Sequence, residues 1–283
     1  MKFLATLTLL AVTTSAALAA DRAIYDIQYL PNAGTTFGFT DLNYTTVKLE
    51  SDADTDISGY TFSQTLGHSL SDRFSLAAEL NYANIESDPE GDTTTDETGI
   101  SDLTLSAKYR LIDSDLRLDL IGGGVASLGD SDVESNGDSN HLQGGNSLFL
   151  GAQVGKKSEA FQWAVLAQVT HNFKATTDVE GFGDVKDDAN NELLLRGDIL
   201  NKLGEKSYLR SHLDMRFTEE FDDNADNTTA STTTYTIGTQ YQHICSSDFM
   251  AKVGVDYTKV NTLSGQIDDL TGWNFTIGAN YQF

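Results

Sequence analysis

Only one cysteine, Cys245, occurs in the 283 residues. No internal disulfide can form, and Cys245 reads as incidental to the fold. Basic side chains are scarce: 18 Lys and Arg stand against 42 Asp and Glu, for a formal net charge of −24. Nucleic acid and bare anionic lipid surfaces would repel such a chain, which excludes them as partners. After Ala20 there is no apolar run approaching the ~20 residues a membrane helix needs, and the mean hydropathy is −0.29. A helical membrane protein is thereby excluded. A closed β-barrel is not, because it satisfies its backbone between strands and needs only one apolar face. The 2 prolines, 24 glycines and 39% hydrophobic content are ordinary for a β protein.

The N-terminus carries Lys2, then an uncharged run from Phe3 to Ala20 that ends in small residues. This is the form of a secretory signal peptide. Ala17-Leu18-Ala19 places the cut after Ala19, and the absence of cysteine there excludes a lipoprotein anchor. Residues 1–19 are therefore assigned to the signal, 20–36 to a periplasmic lead-in or inward-folded hatch, and 37–283 to a transmembrane barrel. At the other terminus Trp273, Phe275, Ile277, Ala279, Tyr281 and Phe283 alternate with polar residues and glycine, and the chain stops on the aromatic. This strand resembles the C-terminal signal of bacterial outer-membrane proteins. The resemblance implies that Tyr281 and Phe283 are read by the barrel-assembly machinery.

Alternating segments recur near 37–50, 57–70, 73–86, 99–111, 115–128, 146–156, 160–174, 191–203, 207–219, 231–243, 248–260 and 271–283. Long loops at 51–56, 87–98, 129–145, 175–190, 220–230 and 261–270 interleave with tight turns at Ser71-Asp72, Asp113-Ser114, Lys157-Ser158-Glu159, Gly204-Glu205-Lys206 and Cys245-Ser246-Ser247. The expected fold is all-β: a closed antiparallel transmembrane barrel of about twelve strands, with both termini periplasmic and the long loops outside. Ala23–Leu30 also alternates, but counting it as a strand would break the even parity. On each strand one parity is apolar, as in Phe74, Leu76, Ala78, Leu80 and Tyr82, or Phe161, Trp163, Val165, Ala167, Val169 and Phe173. Aromatics collect at both ends of that parity: Phe74, Tyr109, Phe161, Tyr241, Phe249 and Phe283 near turns, and Tyr82, Phe173, Phe217, Tyr235, Tyr257 and Trp273 near loops. Two such girdles mark a protein that sits in the cell outer membrane, in contact with lipid and lipopolysaccharide.

Charges on the opposite parity form two groups of mixed sign. Counting back from the turn at Asp113-Ser114 sets Lys108 and Arg110 across from Arg117 and Asp119, with Glu79 as a neighbour of Lys108. Through the turn at 204–206, Arg196 and Asp198 meet Arg210, His212, Asp214 and Arg216. Such groups either shape a narrow wet path or knit a filled lumen with ion pairs. Acidic residues cluster in the loops: Asp52, Asp54 and Asp56; Asp88, Glu90, Asp92, Asp96 and Glu97; Asp130, Asp132, Glu134 and Asp138; Asp222, Asp223 and Asp226. Asp132-x-Glu134-x-Asn136-Gly137 approaches a calcium loop, but Gln143 stands where the bidentate Glu belongs. No metal or other cofactor is expected. None of His68, His171, His212 and His243 is followed two residues on by a serine, so the spacing supplies no activated nucleophile on one strand face.

The strand Gly99-Ile100-Ser101-Asp102-Leu103-Thr104-Leu105-Ser106-Ala107-Lys108-Tyr109-Arg110-Leu111 resembles a pattern of the barrel family named for the meta-pathway of phenol degradation. That family is regarded as outer-membrane channels or transporters, some linked to uptake of aromatics or hydrocarbons. The resemblance implies that Asp102, Lys108 and Arg110 point inward. The expected role is passive passage of a small solute, through a charged lumen behind acidic loops. A closed structural or adhesive barrel is the alternative, and an outer-membrane enzyme the third reading.

Overall fold

The computed structural model describes residues 24–50, 55–89, 94–129, 131–134, 137–142, 145–158, 160–180, 183–222, 228–262 and 269–283. Its strands are β1 (Thr36–Glu50), β2 (Thr55–Ser71), β3 (Phe74–Pro89), β4 in two pieces (Thr95–Ile100 and Leu103–Asp113), β5 (Leu116–Ala126) and β6 (Ser147–Lys157). They continue with β7 (Phe161–Asn172), β8 (Asn190–Lys202), β9 (Ser207–Thr218), β10 (Thr232–Ser246), β11 (Phe249–Thr262) and β12 (Asp269–Gln282). Each pairs antiparallel with its chain neighbours, and β12 returns to β1 over a register that runs from Phe37↔Gln282 to Glu50↔Asp269. The sheet is thus a closed barrel of twelve strands, all-β as the alternation predicts. The proposed signal peptide, residues 1–19, lies outside the described residues.

Alternation decides which face is which. Outward Leu150 and Ile277 are 69% and 66% exposed, whereas inward Lys108 and Asp119 are 0% exposed. A water-soluble barrel would invert that order, because apolar side chains belong out of water. This inside-out arrangement is that of a bacterial outer-membrane β-barrel, which crosses its membrane with strands. Tyr109, Phe161, Tyr241, Phe249 and Phe283 at the turn end, and Tyr82, Phe173, Tyr235 and Trp273 at the loop end, are exposed on the outer face. Phe74, Phe217 and Tyr257 are half-buried on the same face.

The wall is uneven in height. Strands β1 to β3 span 15, 17 and 16 residues, whereas β5 to β7 span 11, 11 and 12. Over the short side the loops fold on themselves as a small sheet in which Ala175–Val179 lies between Gly183–Asp187 and Ser131–Val133. The Asp132-to-Gly137 spacing belongs to this loop structure. Glu134 and Gly137 close a turn through Gly137 N to Glu134 O at 2.9 Å, and Asp132 pairs with the Asn140 amide at 3.1 Å. Asn136, Gln143, Asp52, Asp54, Glu90, Asp92, Asp130, Asp223 and Asp226 lie outside the described residues.

Candidate solute cavity in the barrel lumen

Ile24 to Pro31 is buried inside the turn end of the barrel. Its backbone is held by wall side chains. The Gln162 amide oxygen accepts from Ile27 N at 3.2 Å, Arg110 donates to Gln28 O at 2.7 Å, and Asn280 donates to Ile24 O at 3.4 Å. Asp26 binds Lys157 and Gln162, and the Tyr29 hydroxyl donates to Gln282 at 2.6 Å. Apolar packing completes the seat: Ile24 and Tyr29 lie on Phe37, Phe39, Ala77 and Met250, and Ile27 on Ala164, Leu200 and Tyr208.

Beneath this segment sits the first charged group. Arg110 donates to both carboxylate oxygens of Asp119, at 2.8 and 3.2 Å, and Lys108 reaches the same carboxylate at 3.1 Å. Arg117 lies across from Asp113, because a bulge between Arg110 and Ile112 shifts the register by one. Glu79 departs from expectation. The β3–β4 register sets it opposite Thr104 and puts Ser75 opposite Lys108, so Glu79 stands four residues nearer the loop end and accepts from Thr65 at 2.8 Å. The error lies in extrapolating register past an interruption that the alternation does not reveal.

The second group assembles as the turn at 204–206 implies. Arg196 bonds Asp198 at 3.0 Å and Asp214 at 3.2 Å, Arg210 reaches Asp198 at 2.8 Å, and Arg216 reaches Glu192 at 3.4 Å. His212 faces Asp256 at 3.6 Å and Lys252 pairs with Asp41 at 2.8 Å. Asp41, Glu192, Lys252 and Asp256 were not singled out from sequence. Their inward parity was the available signal, but their partners lie on strands whose proximity is set only by barrel closure.

Above the buried segment the lumen holds a cavity of ≈ 440 Å³ that reaches the loop end. Its floor is Ile24, Tyr25, Asp26 and Tyr29. One wall presents Arg196, Arg210, His212, Asp214, Arg216 and Asp256, and another presents Asn43, Ser63, Thr65, Glu79, Asn81 and Asp102. A third is apolar: Ile121, Phe149, Leu166 and Leu194 pack side by side on β5 to β8. Near the mouth Val47, Leu49, Ile57, Ala83, Ile85, Val260 and Leu270 form a further inward apolar cluster. The lumen is therefore more apolar than its sequence parity suggests. Lys108, Arg110, Arg117 and Asp119 do not line the cavity, since the hatch segment lies between.

Phe283 exchanges both backbone bonds with Thr36 at 2.9 Å, so the terminal residue forms the last rung of the closing seam. Tyr281 lies outward beside it, its ring over Gly38. A Ser–His contact does occur across strands, Ser207 to His243 at 3.3 Å, but it is exposed and its third member is the Tyr241 hydroxyl. Among the described residues no group of His, Cys, Asp and Glu has the geometry to hold a metal ion.

No protein-family model matches the chain, and no curated protein matches it in sequence. Its fold does have solved counterparts. The COG4313 outer membrane channel from Pseudomonas putida F1 superposes with a TM-score of 0.66 at 16% identity, over 90% of this chain and 97% of that one. The translocator domain of the autotransporter NalP from Neisseria meningitidis gives 0.54 at 12% identity, over 89% and 90%. The NanC porin gives 0.51 at 10% identity, over 86% and 98%. What these likenesses share with the chain is a fold, that of the bacterial outer-membrane β-barrels.

Proposed function

We propose that the chain is an outer-membrane channel for small solutes that combine an apolar body with a polar edge, closed at its turn end by the hatch Ile24–Pro31. The observation that carries this reading is the cavity. It runs from the loop end to the hatch, with an apolar wall beside an ion-paired one. Such a mixed lining accepts aromatic or short aliphatic molecules bearing one or two polar groups, which neither a purely wet pore nor a dry one does well. The COG4313 protein is named a channel, and the family resemblance on β4 points the same way. With the loops outside, both termini are periplasmic, the acidic loops meet lipopolysaccharide through bridging divalent cations, and Phe283 serves the assembly machinery.

The test compares two barrels in planar bilayers and in liposome-swelling assays. One is the mature chain; the other starts at Asn32 and lacks the hatch. The mature chain should show small, infrequent conductance steps, and the hatchless barrel larger and sustained ones. A hatchless barrel that shows the heat-modifiable band of a folded protein yet passes neither ions nor small sugars nor aromatics would overturn the reading and leave a structural or adhesive barrel.

A further inference from the structure

One rung of the barrel wall crosses five strands. Lys252 on β11, Gly278 on β12, Asp41 on β1, Ser63 on β2 and Asn81 on β3 stand successively opposite one another. The charged end of the rung is closed, because Lys252 lies on the Asp41 carboxylate at 2.8 Å. Its neutral end is open. The Ser63 hydroxyl and the Asn81 amide oxygen are buried without a hydrogen-bond partner among the described residues, and so is the amide nitrogen of Asn43, one inward position above Asp41. Asn43 spends its other amide atom on Thr276, whose hydroxyl donates to it at 2.7 Å. Asn43 and Ser63 are 4% and 6% exposed, and all three side chains line the cavity. A buried polar atom left unpaired is costly, so three of them on adjacent strands facing one cavity mark a place where a ligand supplies the partners. The terminal amide torsions are soft enough for Asn43 and Asn81 to turn toward the lumen.

The three atoms define the chemistry of that ligand. Asn43 offers a donor, Asn81 an acceptor, and Ser63 serves as either. A hydroxyl group matches all of them. A carboxylate cannot donate to Asn81, and it would stand beside the carboxylates of Asp41 and Glu79. An ammonium cannot accept from Asn43, and it would stand beside Lys252. Neighbouring strands are about 4.8 Å apart, so the row from β1 to β3 spans roughly 10 Å, whereas a hydrogen bond reaches only about 3 Å. One hydroxyl therefore cannot serve the whole row, but several on one molecule can. Above the row the same strands become apolar: Ala83 is one inward position above Asn81 and Val47 two above Asn43, both in the cluster near the mouth.

We propose that Asn43, Ser63 and Asn81 form a subsite for the neutral, sugar-like head of a solute that bears several hydroxyl groups, and that its apolar tail lies against Val47 and Ala83 toward the mouth. The inference deepens the channel reading and rests on it for entry of the solute into the cavity. Such a molecule descends head first. Its hydroxyls complete the unpaired atoms of the row while its tail stays beside apolar side chains, so both ends leave water for a matched surface. A solute carboxylate has no comparable seat, since Arg196, Arg210, Arg216 and Lys252 each already hold a carboxylate of the wall.

The test is equilibrium dialysis of the full mature chain in lipid nanodiscs, with empty nanodiscs correcting for partition into lipid. The probes are hexyl glucoside, 1-hexanol, hexanoate and hexylammonium, which share one tail and differ in the head. Hexyl glucoside should be retained saturably, and each of the others about tenfold more weakly or not at all, the scale of one or two lost hydrogen bonds. Ser63→Ala removes a hydroxyl that has no partner to lose, so the urea midpoint should hold or rise while glucoside affinity falls several-fold. Asn43→Asp keeps the oxygen that Thr276 bonds and exchanges the donor for an acceptor, and it should weaken the glucoside likewise. Equal retention of glucoside and hexanoate, or full glucoside affinity in Ser63→Ala, would overturn the subsite. So would retention no greater than in empty nanodiscs while the hatchless barrel still conducts; the channel reading then stands alone. Absence of both retention and conductance would sink the two together.

Discussion

Asp41 on β1 and Lys252 on β11 pair at 2.8 Å across the strand between them, directly over Gly278 of β12. His212 on β9 and Asp256 on β11 meet in the same way over Gly238 of β10. Strands two apart in a sheet are separated by about 10 Å, so short side chains can meet across the middle strand only if that strand presents no Cβ. A Cβ at either glycine would overlap the carboxylate lying on it.

The first prediction follows from that overlap. Gly278→Ala and Gly238→Ala should each destabilise the barrel by about 1–3 kcal/mol, the usual cost of overpacking. Gly197→Ala, with nothing within 4 Å of the added carbon, should be neutral or mildly stabilising, since alanine is the better strand residue. Reversible urea unfolding in lipid vesicles, followed by tryptophan emission, measures the difference. Equal midpoints for Gly278→Ala and Gly197→Ala would mean that the Asp41–Lys252 pair does not need its glycine seat.

The contrast between these pairs and Arg110–Asp119 shows what sequence could and could not reveal. The twelve strands, their faces and the girdles were legible because each is a local, period-two signal. Arg110 opposite Asp119 was legible too, since a tight turn lets register be counted. The two bulges, at Leu111 and at Ser101-Asp102, leave no mark in the alternation, and so the neighbour of Glu79 was misplaced. Asp41 and Lys252 lie 211 residues apart and meet only because β12 closes on β1. Ala23–Leu30 alternates like a strand; what sends Ile24–Pro31 inward is the presence of partners across the whole barrel floor, which no local pattern encodes.

A second prediction concerns Asp119, the shared partner of Lys108 and Arg110. Asp119→Asn would remove the carboxylate that these two buried cations share, a loss of about 3–5 kcal/mol by the behaviour of broken buried pairs. Folded yield should fall sharply. The triple change Lys108→Met, Arg110→Met and Asp119→Leu removes all three of these charges at once and should recover the heat-modifiable band. It also removes the donors to Gln28 O and Tyr29 O, so conductance should rise toward that of the hatchless barrel. A triple variant that folds but conducts no better than the parent would show that this group does not hold the hatch.

Orientation gives the third prediction. Cys245 is exposed at the end of β10, beside the turn to β11. With turns on the periplasmic side, a membrane-impermeant maleimide should miss it in intact cells and label it once the outer membrane is permeabilised. Labelling in intact cells would invert the topology and place the hatch outside. Removing Phe283 should, in the same cells, deplete the folded band and leave processed chain in the periplasm, because the closing seam loses its last rung.

The last prediction separates the loops from the lumen. Inside, each basic side chain on the cavity wall has a carboxylate partner: Arg196 has Asp198 and Asp214, Arg210 has Asp198, Arg216 has Glu192, and Lys252 has Asp41. Paired charges project little net field along the axis, so the lumen by itself should be weakly selective. At the loop end, Asp56, Asp88, Asp96, Asp138 and Asp184 contribute to a chain whose acidic residues outnumber its basic ones by 42 to 18. Their field reaches about one Debye length, roughly 10 Å at 0.1 M salt and 3 Å at 1 M. The hatchless barrel should therefore prefer cations at low salt and lose most of that preference at high salt. Asp88→Asn with Asp138→Asn should lower the preference only in the low-salt recordings. Asp214→Asn, which uncovers part of Arg196 within the cavity, should shift selectivity toward anions at every salt concentration, because buried charges are poorly screened. If the loop variants change selectivity equally at low and high salt, the loops line the conduction path itself, and the outer-mouth account fails.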